Sequence, residues 1–220
     1  MADIWLLLGL VLSTRLEGVS ASQAARKDQA APIDVLVAGG GPAGLAVAAS
    51  LAASGLSVVV VERREGAGTF EEQKSYMYLV DSRGQKWTNE QNLTDELRAH
   101  GVLNADFKIT RAYPDERGTV TTAPHFAMAK ATGIWLARAT LLKILAKFAG
   151  SAGVQVRYGT SLKALERGVA AESGVSAVLS DGTRFVPKLV LGCDGINSLV
   201  RANLKEWRAS EGGDLSLIHI

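Results

Sequence analysis

The stretch VLVAGGGPAGLAVAASLAASGLSVVVVER, Val35 to Arg63, constrains the fold more than any other part of this 220-residue chain. Just ahead of it, IDVLVAG starts at Ile33 as an apolar, β-branched run ending in glycines, the pattern of a strand buried on both faces of a parallel sheet. The Ala/Leu-rich run Ala43 to Ser54 predicts a helix that stops at Gly55, and LSVVVVE predicts a second buried strand. Strand, helix and strand in that order make a βαβ unit, so the fold class is α/β with a parallel sheet.

Within this unit Gly39, Gly41 and Gly44 give G-x-G-x-x-G between the predicted strand and helix, the context a dinucleotide-binding turn requires. Gly39 allows the tight turn, Gly41 lets the backbone approach a pyrophosphate, and Gly44 lets helix and strand pack closely. The helix N-terminus supplies N–H groups and a partial positive charge for the phosphates. Glu62 closes the second strand eighteen positions after Gly44, where an acidic side chain accepts hydrogen bonds from adenosine ribose hydroxyls. A carboxylate there repels a 2′-phosphate, so the expected dinucleotide is FAD or NAD rather than NADP. Arg63, beside Glu62, is grouped with these cofactor-binding residues.

The rest of the chain is read more coarsely. RREGAGTFEEQKSYMYLVDSRGQKW, from Arg63, mixes charge, glycine and aromatics as a long functional loop does. TNEQNLTDELRAHG predicts one helix, with Thr88 and Gln91 at capping-box spacing and Gly101 as its stop. Another helix is expected from Arg138 to Ala149, ended by Gly150. VQVRY, SLKALER, VSAVLS and TRFVP are short alternating strands, the last two joined through Asp181-Gly182, and LVLGCDG returns to a continuous apolar strand of the parallel type.

Composition narrows the class of partner. With 24 Lys and Arg against 22 Asp and Glu, a net charge of +2 and no basic tract, nucleic acid is not an expected partner. The single cysteine, Cys193, sits in an apolar strand and reads as a core residue, and no Cys/His spacing resembles a metal site. His100 and His125 have no nucleophile partner at recognisable spacing and are assigned no catalytic role. At the N-terminus the apolar run Ile4 to Leu12 is too short to span a bilayer and is followed by the small residues of GVSAS. Residues 1–21 are therefore expected to be a signal-peptide-like leader into the secretory route, or, if retained, a membrane-surface anchor, with 22–32 as a linker.

LVLGCDGINSLVR, Leu189 to Arg201, resembles the Asp-Gly motif of the flavin-dependent aromatic hydroxylases, the group A flavoprotein monooxygenases, with Asp194, Gly195, Ser198 and Arg201 at the family's positions. The resemblance runs from Ile33 to about Trp207 and implies a Rossmann-like FAD-binding fold with a small antiparallel crossover sheet in the strands between Ser161 and Pro187. It also implies that Asp194 and Gly195 meet the cofactor pyrophosphate and that Arg138, in WLARATLLKIL, lies against the cofactor. From the residues alone, Asp194 also reads as a cap for the following helix, which is compatible with that role, and Arg138 as an exposed helix-start arginine paired with a local carboxylate. KSYMYLVDSRGQKW is similar to the corresponding segment of the kynurenine 3-monooxygenase-like branch, which places Arg83 as a contact for a substrate carboxylate; a solvated arginine in a surface turn is the other reading. What the resemblance implies for function is a cycle in which NAD(P)H reduces FAD, O2 adds to the flavin, and the hydroperoxide hydroxylates or epoxidises a small organic substrate. Another flavin oxidoreductase of the same fold, of the isoprenoid-reductase or epoxidase type, or a non-catalytic nucleotide-binding fragment, stays open beside it.

The terminal LSLIHI, 215–220, follows ASEGGD without turn or cap logic. Read back into codons as CTG-TCT-CTT-ATA-CAC-ATC, it matches a transposon end sequence used in sequencing libraries, so these residues are expected to be an adaptor tail. The FAD-binding domain is then expected over 33–214, stopping before the family's downstream Gly-Asp motif and inactive as an enzyme by itself.

Overall fold

The computed structural model describes residues 31–103, 109–122, 133–168 and 174–210. The leader, the linker through residue 30, His125 and the terminal segment from 211, tail included, lie outside the described residues. The first strand, β1 (Ala31–Ala38), begins two residues inside the expected linker. It is followed by α1 (Pro42–Ala53) and β2 (Val58–Val61), the βαβ unit foreseen from the glycine-rich stretch.

A second layer of elements is interposed before the parallel sheet resumes. β3 (Met77–Val80), α2 (Ser82–Glu90), α3 (Thr94–His100), β4 (Val102–Leu103), β5 (Ile109–Ala112), β6 (Thr119–Thr122) and β7 (Ile134–Ala137) lead to α4 (Arg138–Ser151). The chain then runs through β8 (Gln155–Arg157), β9 (Leu162–Arg167), β10 (Val175–Leu179), β11 (Arg184–Gly192) and α5 (Leu199–Ser210). The six-stranded sheet has the order β8-β2-β1-β11-β10-β9; its first four strands are parallel neighbours, and β10 and β9 continue it antiparallel. β3, β7 and β4 form a separate antiparallel sheet, and β5 pairs with β6.

Burial on both faces explains the unbroken apolar strands. Val35 and Val37 of β1, with Val58 and Val60 of β2, pack against Leu45, Ala48 and Ala49 of α1 and Leu142 and Leu145 of α4. The alternate residues Leu36, Ala38, Val59 and Val61 face Leu165, Ala177, Leu179, Phe185 and Val200. With side chains alternating across a strand, both sets must be apolar, which leaves no polar face for a half-buried pattern. Among the described residues, no helix is long and apolar enough to cross a membrane.

Four expectations are corrected. The segment from Arg63 to Trp87 is not one irregular loop: it holds a 3₁₀ turn at Glu72–Lys74, β3 and the start of α2, which Asp81 caps by accepting from the N–H groups of Arg83 and Gly84. The single helix expected from Thr88 is two helices, because Asn92 turns left-handed at φ 57° and Leu93 N–H bonds back to the Thr88 carbonyl at 2.8 Å, a Schellman-type stop. Thr88 therefore lies inside α2, its hydroxyl on Thr94, and no capping box forms. TRFVP and LVLG are one strand: β11 pairs with β10 at Arg184 and Phe185 and with β1 from Phe185 to Gly192, so Pro187 falls where the second ladder has ended. α4 also passes Gly150 to end at Ser151.

Leu142 is fully buried between the sheet and the two helices on that face. Leu142→Ala is expected to cost about 2–5 kcal/mol, read as a lower denaturant midpoint with an unchanged m-value.

Candidate functional site

The carboxyl ends of β2, β1 and β11 converge where β1 hands neighbours to either side, the switch point at which doubly wound sheets place ligands. Gly39 N–H donates to the Val61 carbonyl at 2.8 Å and Cys193 N–H to the Ala38 carbonyl at 2.8 Å, which ties the three strand ends together. Gly39 has φ +103°, and a Cβ on it would collide with the Cys193 carbonyl oxygen. On Gly44 a Cβ would collide with the Gly39 carbonyl oxygen and stand 3.3 Å from Cys193 Cβ. These two glycines thus permit a three-way backbone contact. Gly41 differs, since a Cβ there would meet nothing within 4 Å. It is the N-cap of α1, which has Pro42 at its start, no side-chain cap and no acidic residue in its first turn. The first-turn N–H groups and the helix dipole therefore face an open approach for an anion, the space a pyrophosphate needs.

Beside this loop lies a buried ion pair. Glu62 Oε2 accepts from Gly40 N–H at 2.7 Å and from Arg64 Nη2 at 3.0 Å, and Oε1 accepts from Arg64 N–H and Nε, both at 2.9 Å. Arg64 Nη2 also donates to the Gly40 carbonyl at 3.0 Å. Both side chains are 7% exposed. Burial pushes the Glu62 carboxyl up, but the hydrogen bonds and charge of Arg64 and the Gly40 N–H outweigh it and hold the group below the usual carboxylate range. The same pairing raises Arg64.

Asp194 stands on the other side of the glycine loop, in the turn that Gly39 abuts. Its Oδ2 accepts from Leu199 N–H at 2.7 Å and Val200 N–H at 3.4 Å, so it caps α5, and Ser198 Oγ accepts from Arg201 N–H just before the helix. Gly195 turns left-handed at φ +83° with open space around it. The capping reading of Asp194 and the cofactor reading use different oxygens. Among the described residues, the buried side-chain polar atoms without a hydrogen-bond partner are Asp194 Oδ1, Arg64 Nη1 and Glu71 Oε2. Asp194 Oδ1 and Arg64 Nη1 each cost about 1–3 kcal/mol if nothing completes them, whereas Glu71 Oε2 keeps an ion pair with Arg138. All three lie around one loop, and an FAD with its ribose hydroxyls and pyrophosphate fits that donor and acceptor set.

Glu71 gathers the cations of this end of the sheet. Lys74 Nζ is 3.0 Å and Arg63 Nη2 3.8 Å from Oε1, while Arg138 Nη1 is 3.1 Å and Arg64 Nε 3.9 Å from Oε2. Arg138, at the start of α4, is partly buried, its side chain 10% exposed and paired with Glu71 rather than lying free on the surface. Arg63 is 70% exposed and is not brought to Glu62 or Gly40. Arg83 is 91% exposed in the first turn of α2, its guanidinium on Asp81 at 2.8 Å. Cys193 packs against the core, and burial, then the nearby Asp194 charge, pushes its thiol up. His100 is exposed on the last turn of α3.

Gly40 and Arg64 were not singled out from the sequence. β2 ends at Val61, and beyond it Glu62 and Arg64 are buried while Arg63 is exposed, a pattern that no periodicity of the all-buried strand reports. Gly40 is required because a Cβ there would stand 2.9 Å from Glu62 Cβ. No local pattern reports that contact.

A parallel sheet with a glycine loop, an uncapped helix start and a buried strand-end carboxylate at its switch point defines a dinucleotide-binding domain. Residues 32–218 match the family model of the FAD binding domain, and the chain belongs to that family. It is similar to the rifampicin monooxygenases of Streptomyces venezuelae, 29% identical over 171 residues, and of Rhodococcus hoagii, 30% identical over 172. In both cases 76% of this chain is covered and 33% of the relative, so the chain spans about a third of their length. The crystal structure of aklavinone-11 hydroxylase with FAD and aklavinone superposes with a TM-score of 0.63 at 29% identity, covering 78% of this chain and 34% of that one.

The glycines separate ligand binding from folding. Gly41→Val is expected to abolish FAD binding, read by quenching of flavin fluorescence, while changing stability by no more than about 1 kcal/mol. Gly44→Val should lose both FAD binding and the cooperative thermal transition. Equal stability losses in the two variants would contradict the assignment of Gly41 to the ligand.

Proposed function

We propose that this chain is the FAD-binding part of an NAD(P)H-dependent monooxygenase that hydroxylates or epoxidises a small organic substrate with O2. The observation that carries the reading is that Asp194 Oδ1 and Arg64 Nη1, buried on the two sides of the glycine loop, have no hydrogen-bond partner, in a chain whose relatives are named as monooxygenases. When bound, FAD supplies the electron transfer from reduced nicotinamide to O2, with one oxygen atom entering the substrate and the other leaving as water. This chain's residues bind and orient. Gly41 and the first turn of α1 hold the pyrophosphate, Glu62 takes the ribose hydroxyls, and Asp194 Oδ1 accepts a hydroxyl while Oδ2 keeps α5 in place.

Arg138 and Arg83 have separate parts in this reading. Arg138 is partly buried and held by Glu71, which also contacts Arg64 beside the glycine loop, and this supports a cofactor contact. Arg83 sits on a rigid helix start but is bound to Asp81, so contact with a substrate carboxylate requires exchange of one carboxylate for another. For the N-terminus, the apolar run Ile4 to Leu12 and the small residues after it support entry to the secretory route.

The full-length protein loaded with FAD is expected to oxidise NADH or NADPH and to incorporate label from ¹⁸O₂ into its substrate. Oxidation of reduced nicotinamide without label in any product would point to a flavin reductase or oxidase, and no oxidation at all would end the redox reading. Asp194→Ala should weaken FAD binding on the order of tenfold and cost the fold about 1 kcal/mol for the lost cap.

A further inference from the structure

We propose that Arg64 is the positioning residue of the adenosine-ribose site, an exchangeable counter-ion whose guanidinium fork keeps the buried Glu62 carboxylate charged and in plane until hydroxyl donors take over those bonds. The inference rests on reading Glu62 as the ribose acceptor, and it concerns a residue that no motif in the sequence marks.

Geometry supplies the argument. A carboxylate offers about four lone-pair positions. In Glu62 two of them are filled by backbone N–H groups, from Gly40 and Arg64, which fix the carboxylate plane without a side chain. The other two are filled by Arg64 Nε and Nη2, a paired donor that stands in for the two hydroxyls of a ribose. Handing those positions to a ribose releases the guanidinium, and the structure offers it an acceptor: Glu71 Oε2, buried and ion-paired with Arg138 Nη1 at 3.1 Å, makes no hydrogen bond, has a second lone pair and is 3.9 Å from Arg64 Nε. Arg64 Nη1 is the matching donor without a partner. The fork thus has acceptors on both sides, and Gly40, bonded to both members of the pair, couples its position to the glycine loop.

The charge of Arg64 is separable from its packing by pH. Burial is the largest influence on Glu62 and pushes its carboxyl up, so removing the cation leaves a group that takes up a proton as pH falls through and above the ordinary carboxylate range. The other charged or titratable groups facing the pair are Tyr158, raised by burial, and Glu71, which is held low against burial by Lys74, Arg138 and Arg64. Neither changes charge between mild acid and neutrality. Ligand binding that depends on ionised Glu62 is therefore insensitive to pH with Arg64 present and weakens in acid without it.

The test is the dissociation constant of FAD for the whole chain, measured by flavin fluorescence from about pH 5.5 to about pH 8, in four forms: unsubstituted, Arg64→Met, Glu62→Gln and the double variant. The unsubstituted chain and both Glu62→Gln forms should show flat profiles, the latter with weaker binding. Arg64→Met should lose affinity on the order of tenfold from the alkaline to the acid end of that range. A flat Arg64→Met profile in a chain that binds FAD overturns the proposal while leaving the nucleotide site standing. Absence of FAD binding by the unsubstituted chain at every pH overturns both. Should Arg64→Met fail to fold, the double variant decides. Recovery of the fold when both partners are removed shows that Arg64 compensates the Glu62 carboxylate, whereas a double variant as unstable as the single one makes Arg64 a structural residue and overturns the proposal.

Discussion

Gly39 and Cys193 meet backbone against backbone at the carboxyl ends of adjacent parallel strands, and the rest of the site is arranged around that contact. Because a Cβ at Gly39 would occupy the Cys193 carbonyl, and one at Gly44 the Gly39 carbonyl, strand, turn and helix stack with no side chain between them. That closeness brings the start of α1, the Glu62 strand end and the Asp194 turn within reach of one ligand. A side chain at either glycine would spread the strand ends and separate groups that must act together.

The Glu62–Arg64 pair shows a different economy. Taking two charges out of water is costly, and a buried pair of this kind is weak evidence for stability. What it provides is specificity of arrangement, since every position on the carboxylate is assigned to a named donor. The same logic covers Asp194, which divides its oxygens between a helix cap and the site. The two differ in what is left over: Glu62 is satisfied within the chain, whereas Asp194 keeps one buried oxygen without a hydrogen bond.

Much of this was legible in the sequence, for reasons that differ by residue. The βαβ unit announces itself because both faces of β1 and β2 are buried, which leaves continuous apolar runs, and because the glycine spacing is set by backbone contacts. The Asp-Gly turn was visible only through resemblance; composition and periodicity would have left Asp194 as a helix cap, which it also is. Arg63 stands next to Glu62 in the sequence, but its side chain is exposed, and it is the following residue, Arg64, that is buried against the Glu62 carboxylate. The segment after β2 was misread as loop because β3 is a four-residue strand with alternating exposure and α2 is polar overall, signals too short or too weak to stand out beside Gly66, Gly68 and Gly84. That Arg138 pairs with a carboxylate was one reading of the sequence, but that the carboxylate is Glu71 could not be foreseen, since Arg138 reaches it from an element far along the chain.

β11 plays two parts, antiparallel partner to β10 at its start and parallel partner to β1 along the rest of its length. Val35 pairs with Leu189, so nearly all of the described chain must be made before β1 gains its second neighbour. During synthesis, β1, α1 and β2 emerge early with one edge of the sheet uncovered, and that edge is a hazard for pairing with another chain. Closure by β11 is a late, long-range step of the kind that slows folding. The nucleotide cradle is therefore among the last features of the domain to exist, and a growing chain stays unable to recognise its cofactor until the strand that protects its edge has arrived.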